Sequence, residues 1–171
     1  KLYFGDCLDV LRNEIPDESV DLVYLDPPFN SSRNYNLLFK APSGHQSEAQ
    51  IEAFHDTWHW GEQAEREFRQ LLVQPNTQVS ELLSSLRRFL GENDLMAYLT
   101  MIGNRILELH RSLRSTGSLY LHCDPSASHY LKIVLDAVFG PERFGNEISW
   151  LRSQPKSHTS INFPNCRDVI L

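Results

Sequence analysis

The sequence predicts an α/β protein with a mostly parallel sheet, because short apolar runs alternate with amphipathic helical patterns along the chain. Residues Val20–Leu25 form a short, partly β-branched apolar run, which is typical of a strand covered on both faces of a parallel sheet. Residues Ser118–His122 form a second such run, and the helical pattern that follows completes a β-α unit. No repeat or low-complexity tract interrupts the alternation.

The composition is that of one ordinary globular domain. The chain has 171 residues, of which 41% are hydrophobic and 22% charged. Its three cysteines, Cys7, Cys123 and Cys166, are far apart and include no C-x-x-C pair, so no zinc or redox centre is expected and a reducing cytoplasm is the natural setting. There is no apolar run long enough to span a bilayer and no signal-peptide pattern, so we expect a soluble cytoplasmic protein without a membrane partner.

The first elements follow from local patterns. Lys1–Phe4 is expected to be a strand that ends at Gly5 and Asp6, and a short helix through Leu8 and Leu11 should follow. Asp6 is also a good N-cap for that helix. The strand at Lys1–Phe4 should lie beside the strand at Val20–Leu25.

Residues 36–93 are expected to form a loop and helical insertion. Two apolar helical faces, at Glu62–Val73 and Val79–Phe89, predict a helical hairpin. His55 and His59 stand four residues apart, but the glutamate of an H-E-x-x-H motif and a third ligand are both missing, so no metal site is expected. The aromatic residues around them are better explained as anchors of a loop.

The remaining elements alternate regularly. A long helix is predicted from Leu95 to Leu113 and should end near Gly117, and Asp124 with Pro125 should cap the next helix. His122 and Asp124 would lie at the carboxyl end of their strand, on the expected ligand side. Further strands are predicted at Asn146–Leu151 and Asp168–Leu171.

Asp26 is the centre of the predicted site. It follows the Val20–Leu25 strand at its carboxyl end, where open α/β sheets bind ligands, and Pro27 and Pro28 fix the backbone beyond it. The turn can present a carboxylate beside a main-chain carbonyl, and Phe29 adds a flat apolar face. Two acceptors and a stacking ring suit a planar heterocycle with an exocyclic amine, such as a base flipped out of a duplex. The competing interpretation is that Asp26 only caps a helix.

These residues resemble a known family. The Asp-Pro-Pro-Phe sequence at 26–29, LYFGDCLDVL at 2–11 and GSLYLHCD at 117–124 are similar, in kind and order, to amino-methyltransferases of DNA that use S-adenosylmethionine. The similarity is to the subgroup whose catalytic motif precedes the cofactor loop, which includes type III modification subunits. The resemblance spans most of the chain and implies a Rossmann-like methyltransferase sheet.

The resemblance also implies roles for residues. Asp26, Pro27, Pro28 and Phe29 would be catalytic, and Asp6, Cys7 and Asp26 would bind S-adenosylmethionine. The substrate would be double-stranded DNA with a flipped adenine, and a dimer or a partner subunit of a restriction system is possible. Relatives that act on cytosine more often carry Ser or Asn in place of Asp26, so the aspartate favours adenine. Cytosine or another amine-bearing substrate, and a noncatalytic partner-binding domain, are the alternatives.

The candidate nucleic-acid contacts lie mainly in one basic stretch. The net charge is −6, which argues against uniform DNA binding, but residues 148–167 contain no acidic residue. The candidate phosphate contacts are Arg33, Arg152, Lys156, His158 and Arg167. An exposed polar loop is the competing interpretation of this stretch.

One expected feature is not found in the sequence. No strand is followed by the aromatic-x-Gly-x-Gly turn that the family uses to hold its cofactor, and Phe139-Gly140 and Phe144-Gly145 have the wrong context. Residues 1–171 are therefore expected to be the catalytic part of a longer enzyme, with the cofactor loop and target recognition downstream, and to be inactive alone.

Overall fold

A computed structural model describes residues 1–28, 58–152 and 166–171, together with the backbone of 33–37 and 51–56. The helices are α1 (Cys7–Glu14), α2 (Glu62–Leu72), α3 (Thr77–Leu90), α4 (Asp94–Ser112) and α5 (Pro125–Phe139), followed by a 3₁₀ turn at Pro141–Arg143. The strands are β1 (Val20–Leu25), β2 (Arg33–Leu37), β3 (Ile51–Asp56), β4 (Leu113–Cys123), β5 (Ile148–Leu151) and β6 (Arg167–Ile170).

Four of the described strands form one mixed sheet in the order β1-β4-β6-β5. β1 and β4 are parallel, and Tyr24 lies opposite Tyr120, whereas β6 is antiparallel to both β4 and β5. The predicted α/β class is confirmed, but the prediction of a mostly parallel sheet is wrong for these strands. The apolar pattern of a strand reports its burial and not its direction, so the reversal between β5 and β6 left no signal in the sequence. β2 and β3 form a separate antiparallel pair.

The predicted strand at Lys1–Phe4 is not formed. This segment pairs with no described strand, and the side chains of Leu2 and Phe4 are 99% and 85% exposed. A short segment with three apolar or aromatic side chains does not make a strand unless a neighbouring strand pairs with its backbone. The helix α1 follows as predicted, and its N-cap is Asp6.

A helical layer covers one face of the sheet. α4 is buried along most of its length, because the predicted hairpin of α2 and α3 packs on it together with α5. Leu121 from β4 is fully buried beneath this layer, together with Leu99, Ile106, Leu131 and Val134 from the helices. Each such side chain contributes about 1.5–3 kcal/mol through burial. No helix in the described ranges combines the length and apolar character needed to cross a lipid bilayer.

The end of α4 differs from the prediction. The helix stops at Ser112, and the next residue, Leu113, is already the extended first residue of β4. Gly117, which was expected to end the helix, lies inside that strand. The apolar repeat continues through the junction because Leu113 packs on the same small cluster as Leu109, so periodicity alone could not mark the change.

Aromatic anchoring is confirmed in the segment before α2. The ring of Trp60 packs edge-on against Phe68 with 5.8 Å between centroids, and the guanidinium of Arg87 lies 4.5 Å from the Trp60 ring. His59 contacts Asp94 through Nδ1 at 2.9 Å. No group of three His, Cys, Asp or Glu residues suited to a metal ion occurs among the described residues.

The other face of the sheet is exposed at β1 and at parts of β4 and β5. Leu22 and Tyr24 on β1 are 60% and 58% exposed, and Tyr120 on β4 and Trp150 on β5 are also exposed. β1 is the terminal strand of the four-stranded sheet, and no other described strand pairs with its outer edge. Because side chains alternate along a strand, Asp26 continues the row of Leu22 and Tyr24 and therefore lies on this open face.

Candidate active site

Asp26 and His122 meet at the carboxyl edge of the parallel pair. Asp26 follows the last residue of β1, and His122 is the penultimate residue of β4. Because the carboxyl ends of parallel strands meet at one edge of a sheet, the two side chains come together from opposite parts of the chain. The Nδ1 atom of His122 lies 2.9 Å from Oδ1 of Asp26, which is hydrogen-bond distance.

Asp168 on β6 approaches the same histidine from the other side. In the antiparallel ladder His122 lies opposite Ile170, so Asp168, two residues away, shares its face of the sheet. Oδ2 of Asp168 is 3.5 Å from Nε2 of His122, and Oδ1 of Asp168 is 3.1 Å from Nη1 of Arg152. We call these four residues (Asp26, His122, Asp168 and Arg152) the strand-end network.

Burial differs strongly along the strand-end network. The side chain of Asp168 is only 5% exposed and that of His122 is 20% exposed, whereas the side chain of Asp26 is 64% exposed. The network thus leads from a buried carboxylate to one that faces solvent. This is the arrangement expected of a carboxylate that buried partners hold in place and that is itself accessible to a ligand.

The hydrogen-bond roles follow from the chemistry of the groups. An ionised carboxylate only accepts hydrogen bonds, so Nδ1 of His122 carries the hydrogen that is donated to Oδ1 of Asp26. Oδ2 of Asp26 has no hydrogen-bond partner within the described part of the chain. Pro27 and Pro28 follow and are half-buried, and their rings restrict φ at both positions. Phe29 lies outside the described residues.

Asp6 has a clear structural role. Its Oδ1 accepts a hydrogen bond of 2.8 Å from the backbone N–H of Leu8, which confirms the predicted N-cap. Nη2 of Arg105 lies 2.8 Å from both carboxylate oxygens of Asp6. Burial lowers the pKa of Arg105, but the negative charge of Asp6 and other neighbouring groups outweighs it, so this pKa is raised above its ordinary value. Cys7 is exposed at the first position of α1.

The residues predicted to contact DNA are only partly brought together. Arg152 belongs to the strand-end network, and Nη1 of Arg167 donates to Oγ of Ser149 at 2.8 Å on the adjacent strand. Both arginine side chains are about half exposed. Arg33 lies in β2, whose backbone alone is described, and Lys156 and His158 are outside the described residues.

His122 and Asp168 were not among the predicted site residues. His122 had a usable signal, since it stands at the end of a predicted parallel strand on the ligand side of the sheet. Asp168 had none, because only the antiparallel register of β6 brings it to this edge. Asp124, next to the site, caps α5 through a 3.1 Å hydrogen bond to the N–H of Ala127, as predicted.

Cys123 marks the buried side of the same strand end. Its side chain is fully buried under the helical layer. Burial is the main cause that raises the pKa of Cys123 to about 12, and the nearby negative charge of Asp124 adds to it. The thiol is therefore a packing group of the core and not a nucleophile of the site.

A strand-end carboxylate followed by two prolines on an α/β sheet, together with the flanking motifs, indicates a DNA amino-methyltransferase. The family model described as DNA methylase, for N6 and N4 methyltransferases, matches residues 20–171, and the chain belongs to this family. The resemblance predicted from the motifs is therefore confirmed.

Several curated relatives come from restriction-modification systems. The Mod subunit of the type III enzyme StyLTI from Salmonella typhimurium is 27% identical over 161 residues, which cover 92% of this chain. The EcoP15I Mod subunit from Escherichia coli is 23% identical over 168 residues, and the type II methyltransferase M.EcaI from Enterobacter cloacae is 36% identical over 75 residues. The chain covers 21% of the length of each type III relative and 17% of M.EcaI.

Proposed function

We propose that the enzyme containing this chain transfers a methyl group from S-adenosylmethionine to the exocyclic amine of adenine in DNA. The observation that carries the proposal is the state of Asp26: one carboxylate oxygen is held by His122, and the other is exposed and unpartnered among the described residues. Membership of the DNA methylase family supports the reaction class. The identity of the residue favours adenine, since relatives that act on cytosine more often have Ser or Asn there.

The chemical problem is that the amine of adenine is a poor nucleophile, because its lone pair is delocalised into the ring. Asp26 and the carbonyl of Pro27 would accept its two N–H groups, which favours a pyramidal nitrogen with its lone pair directed at the methyl group. A carboxylate is a weak base toward such an amine, so Asp26 orients the amine and stabilises positive charge on the nitrogen, and the surplus proton passes to solvent. Phe29 would stack on the extruded base, a contact worth about 1–3 kcal/mol.

The described residues near the amino terminus fit a role in holding the cofactor. Asp6 is 45% exposed although it binds Arg105, and a Cβ at Gly5 would meet no atom within 4 Å, so the backbone there can be approached closely. Asp6 and Cys7 would hold the adenosine end, and Asp26 would face the sulfonium. S-adenosylmethionine, when bound, supplies a methyl group on a sulfonium sulfur. The sulfur leaves with the electron pair of the C–S bond as the N–C bond forms.

Contacts with the DNA backbone are proposed for the basic stretch and for Arg33. Arg152 and Arg167 are half exposed and lie on neighbouring strand ends. Arg152 also contacts Asp168, so its charge is partly compensated within the protein. Since the type III relatives are Mod subunits of restriction-modification enzymes, we propose that this chain also works in such a system, beside a second subunit.

The test is product analysis with the complete enzyme. Duplex DNA is incubated with S-adenosylmethionine that carries a labelled methyl group, then digested to nucleosides and separated by mass. Label in N6-methyladenine is the expected result. Label in N4-methylcytosine would establish the same chemistry on the alternative base. Absence of label in DNA, with intact cofactor binding, would favour the noncatalytic alternative.

A further inference from the structure

We infer that His122 is a positioning residue for Asp26: it holds Oδ1 so that Oδ2 faces the substrate amine, and Asp168 with Arg152 holds the histidine in turn. The inference rests on the proposed function, because it assigns the work of orientation within that same site. It extends the site from the sequence motif at 26–29 to two strands that lie about 100 and 140 residues further along the chain.

Asp26 by itself is poorly constrained. Its side chain is 64% exposed and follows the last residue of β1, so solvent alone would leave the carboxylate free to rotate. The only hydrogen bond it makes among the described residues is the 2.9 Å contact with Nδ1 of His122. That bond fixes one oxygen and thereby defines the direction in which the second oxygen can accept a proton donor.

His122 is well placed to act as the fixed partner. It lies on β4, which has β1 on one side and β6 on the other, and its side chain is only 20% exposed. The ring nitrogen opposite Asp26 faces Oδ2 of Asp168 at 3.5 Å. The imidazole thus lies between the carboxylates of Asp26 and Asp168, and its strand is paired on both sides, which limits the movement of the ring.

Asp168 is the most buried member of the strand-end network. A carboxylate that is 5% exposed is unfavourable unless it is paired, and Nη1 of Arg152 supplies a positive charge at 3.1 Å. Arg152 is itself half exposed, so it connects the buried carboxylate with the surface on which DNA is proposed to bind. The strand-end network therefore has one fixed end in the sheet and one free carboxylate oxygen at the site.

A purely structural role makes different predictions. If His122 only tied β1 to β4, its removal would lower stability and would not act selectively on turnover, since backbone pairing of Leu22–Leu25 with β4 already joins these strands. If it positions Asp26, its removal would lower kcat while the affinities for DNA and S-adenosylmethionine stay close to wild type. The fall in kcat would be similar to that expected when a reacting group is displaced by a small distance.

The experiment measures methyl transfer by the complete enzyme and three variants of this residue. In His122→Ala, kcat should fall by roughly 10²-fold, with the KM for DNA changed by no more than about twofold. His122→Asn should restore much of the loss, because its side-chain amide keeps a donor near the position of Nδ1. His122→Gln, whose amide reaches toward Asp168, should restore less. Ser118→Ala, an exposed position earlier on the same strand, is the control and should keep wild-type kinetics.

The outcomes separate this inference from the proposed function. Wild-type kcat in His122→Ala, together with an inactive Asp26→Ala variant, would overturn the positioning role and leave the proposed function standing. A fall in kcat that follows the loss of folded protein, with no rescue by His122→Asn, would also overturn it. If the wild-type enzyme methylates no DNA, the proposed function fails, and this inference fails with it. Selective loss of kcat with rescue by asparagine would establish it.

Discussion

Asp6 and Arg105 join the first helix to the middle of the longest described helix. A single guanidinium nitrogen of Arg105 lies 2.8 Å from each carboxylate oxygen of Asp6, across 99 residues of sequence. Arg105 is buried, and it also donates to the carbonyl of Met101 at 2.9 Å. The same aspartate caps α1, so one side chain both begins a helix and fixes it to the core.

Replacing Asp6 by alanine should therefore destabilise the fold as well as any cofactor site. The variant loses a helix cap and leaves a buried guanidinium with less compensation, so we expect the free energy of unfolding to fall by about 1–3 kcal/mol. Urea denaturation followed by circular dichroism measures this change. Asp9→Ala, an exposed acidic position on the same helix, is the matched control, and an equal effect of both substitutions would contradict the assignment.

Replacing Asp26 by alanine should abolish activity and leave the stability of the fold nearly unchanged. The carboxylate is exposed and contributes little to the core, so the melting temperature should stay within a few degrees of wild type while methyl transfer by the complete enzyme is lost. Incorporation of labelled methyl groups into DNA is the measurement. Asp21→Ala, on the same strand, should remain active, and near-normal transfer by Asp26→Ala would refute the catalytic assignment.

Replacing Phe29 by alanine should weaken capture of the flipped base more than it weakens cofactor binding. The expectation comes from the sequence, since an aromatic ring directly after the Asp-Pro-Pro turn suits stacking on a base. Fluorescence of 2-aminopurine at the target position of the DNA reports extrusion of that base. If the signal were unchanged and the affinity for S-adenosylmethionine fell instead, the ring would belong to the cofactor pocket.

The thiol of Cys123 should be unreactive in the folded protein. Its pKa is raised to about 12 from an ordinary 9.0, mainly by burial, whereas Cys7 is exposed. A thiol reagent such as DTNB should label Cys7 quickly and Cys123 only after unfolding. Rapid labelling of Cys123 in native protein would show that the helical layer opens over it.

The same shift has a consequence for stability at high pH. Between pH 9 and about 12 the unfolded chain has lost the thiol proton that the folded chain keeps, so the unfolded state binds fewer protons and stability falls as the pH rises. This contribution is absent in Cys123→Ala. Comparing the pH dependence of urea denaturation in the two proteins isolates it, and parallel curves would contradict the raised pKa.

The 171-residue chain alone should show no measurable methyl transfer. The sequence contains no aromatic-x-Gly-x-Gly turn after a strand, and both reactants must be held together for transfer. Loss of that positioning forfeits about 7–11 kcal/mol of barrier reduction. The assay compares this chain with the complete enzyme under the same conditions, and robust methylation by the chain alone would show that these residues hold the cofactor without such a turn.

The sequence predicted most helices because their signals are local. Asp6 and Asp124, the predicted caps of α1 and α5, are side chains that satisfy the first N–H groups of their own helices. The apolar faces of these helices also repeat at three and four residues, which does not depend on distant contacts. Elements of this kind are readable without knowing the rest of the fold.

The candidate site was only half predictable for the opposite reason. Asp26 was found because a strand pattern and two prolines surround it in the sequence. The partners His122 and Asp168 reach it through the order and direction of strands, and β6 proved antiparallel although its apolar pattern resembles that of any buried strand. Strand direction depends on where the chain goes between strands, which is nonlocal information. The prediction of a strand at Lys1–Phe4 was wrong for the same reason, since a strand needs a paired neighbour and this segment has none among the described strands.

The open edge of β1 also bears on how these residues behave at high concentration. Along that edge, backbone N–H and C=O groups meet no other described strand, and Leu22 and Tyr24 stand exposed beside them. Such an edge can add a strand from any neighbouring chain, with hydrogen bonds that are indifferent to sequence and apolar side chains that reinforce them. A chain that exposes this edge to other copies would be prone to aggregate, and any element that covers the edge would oppose that aggregation.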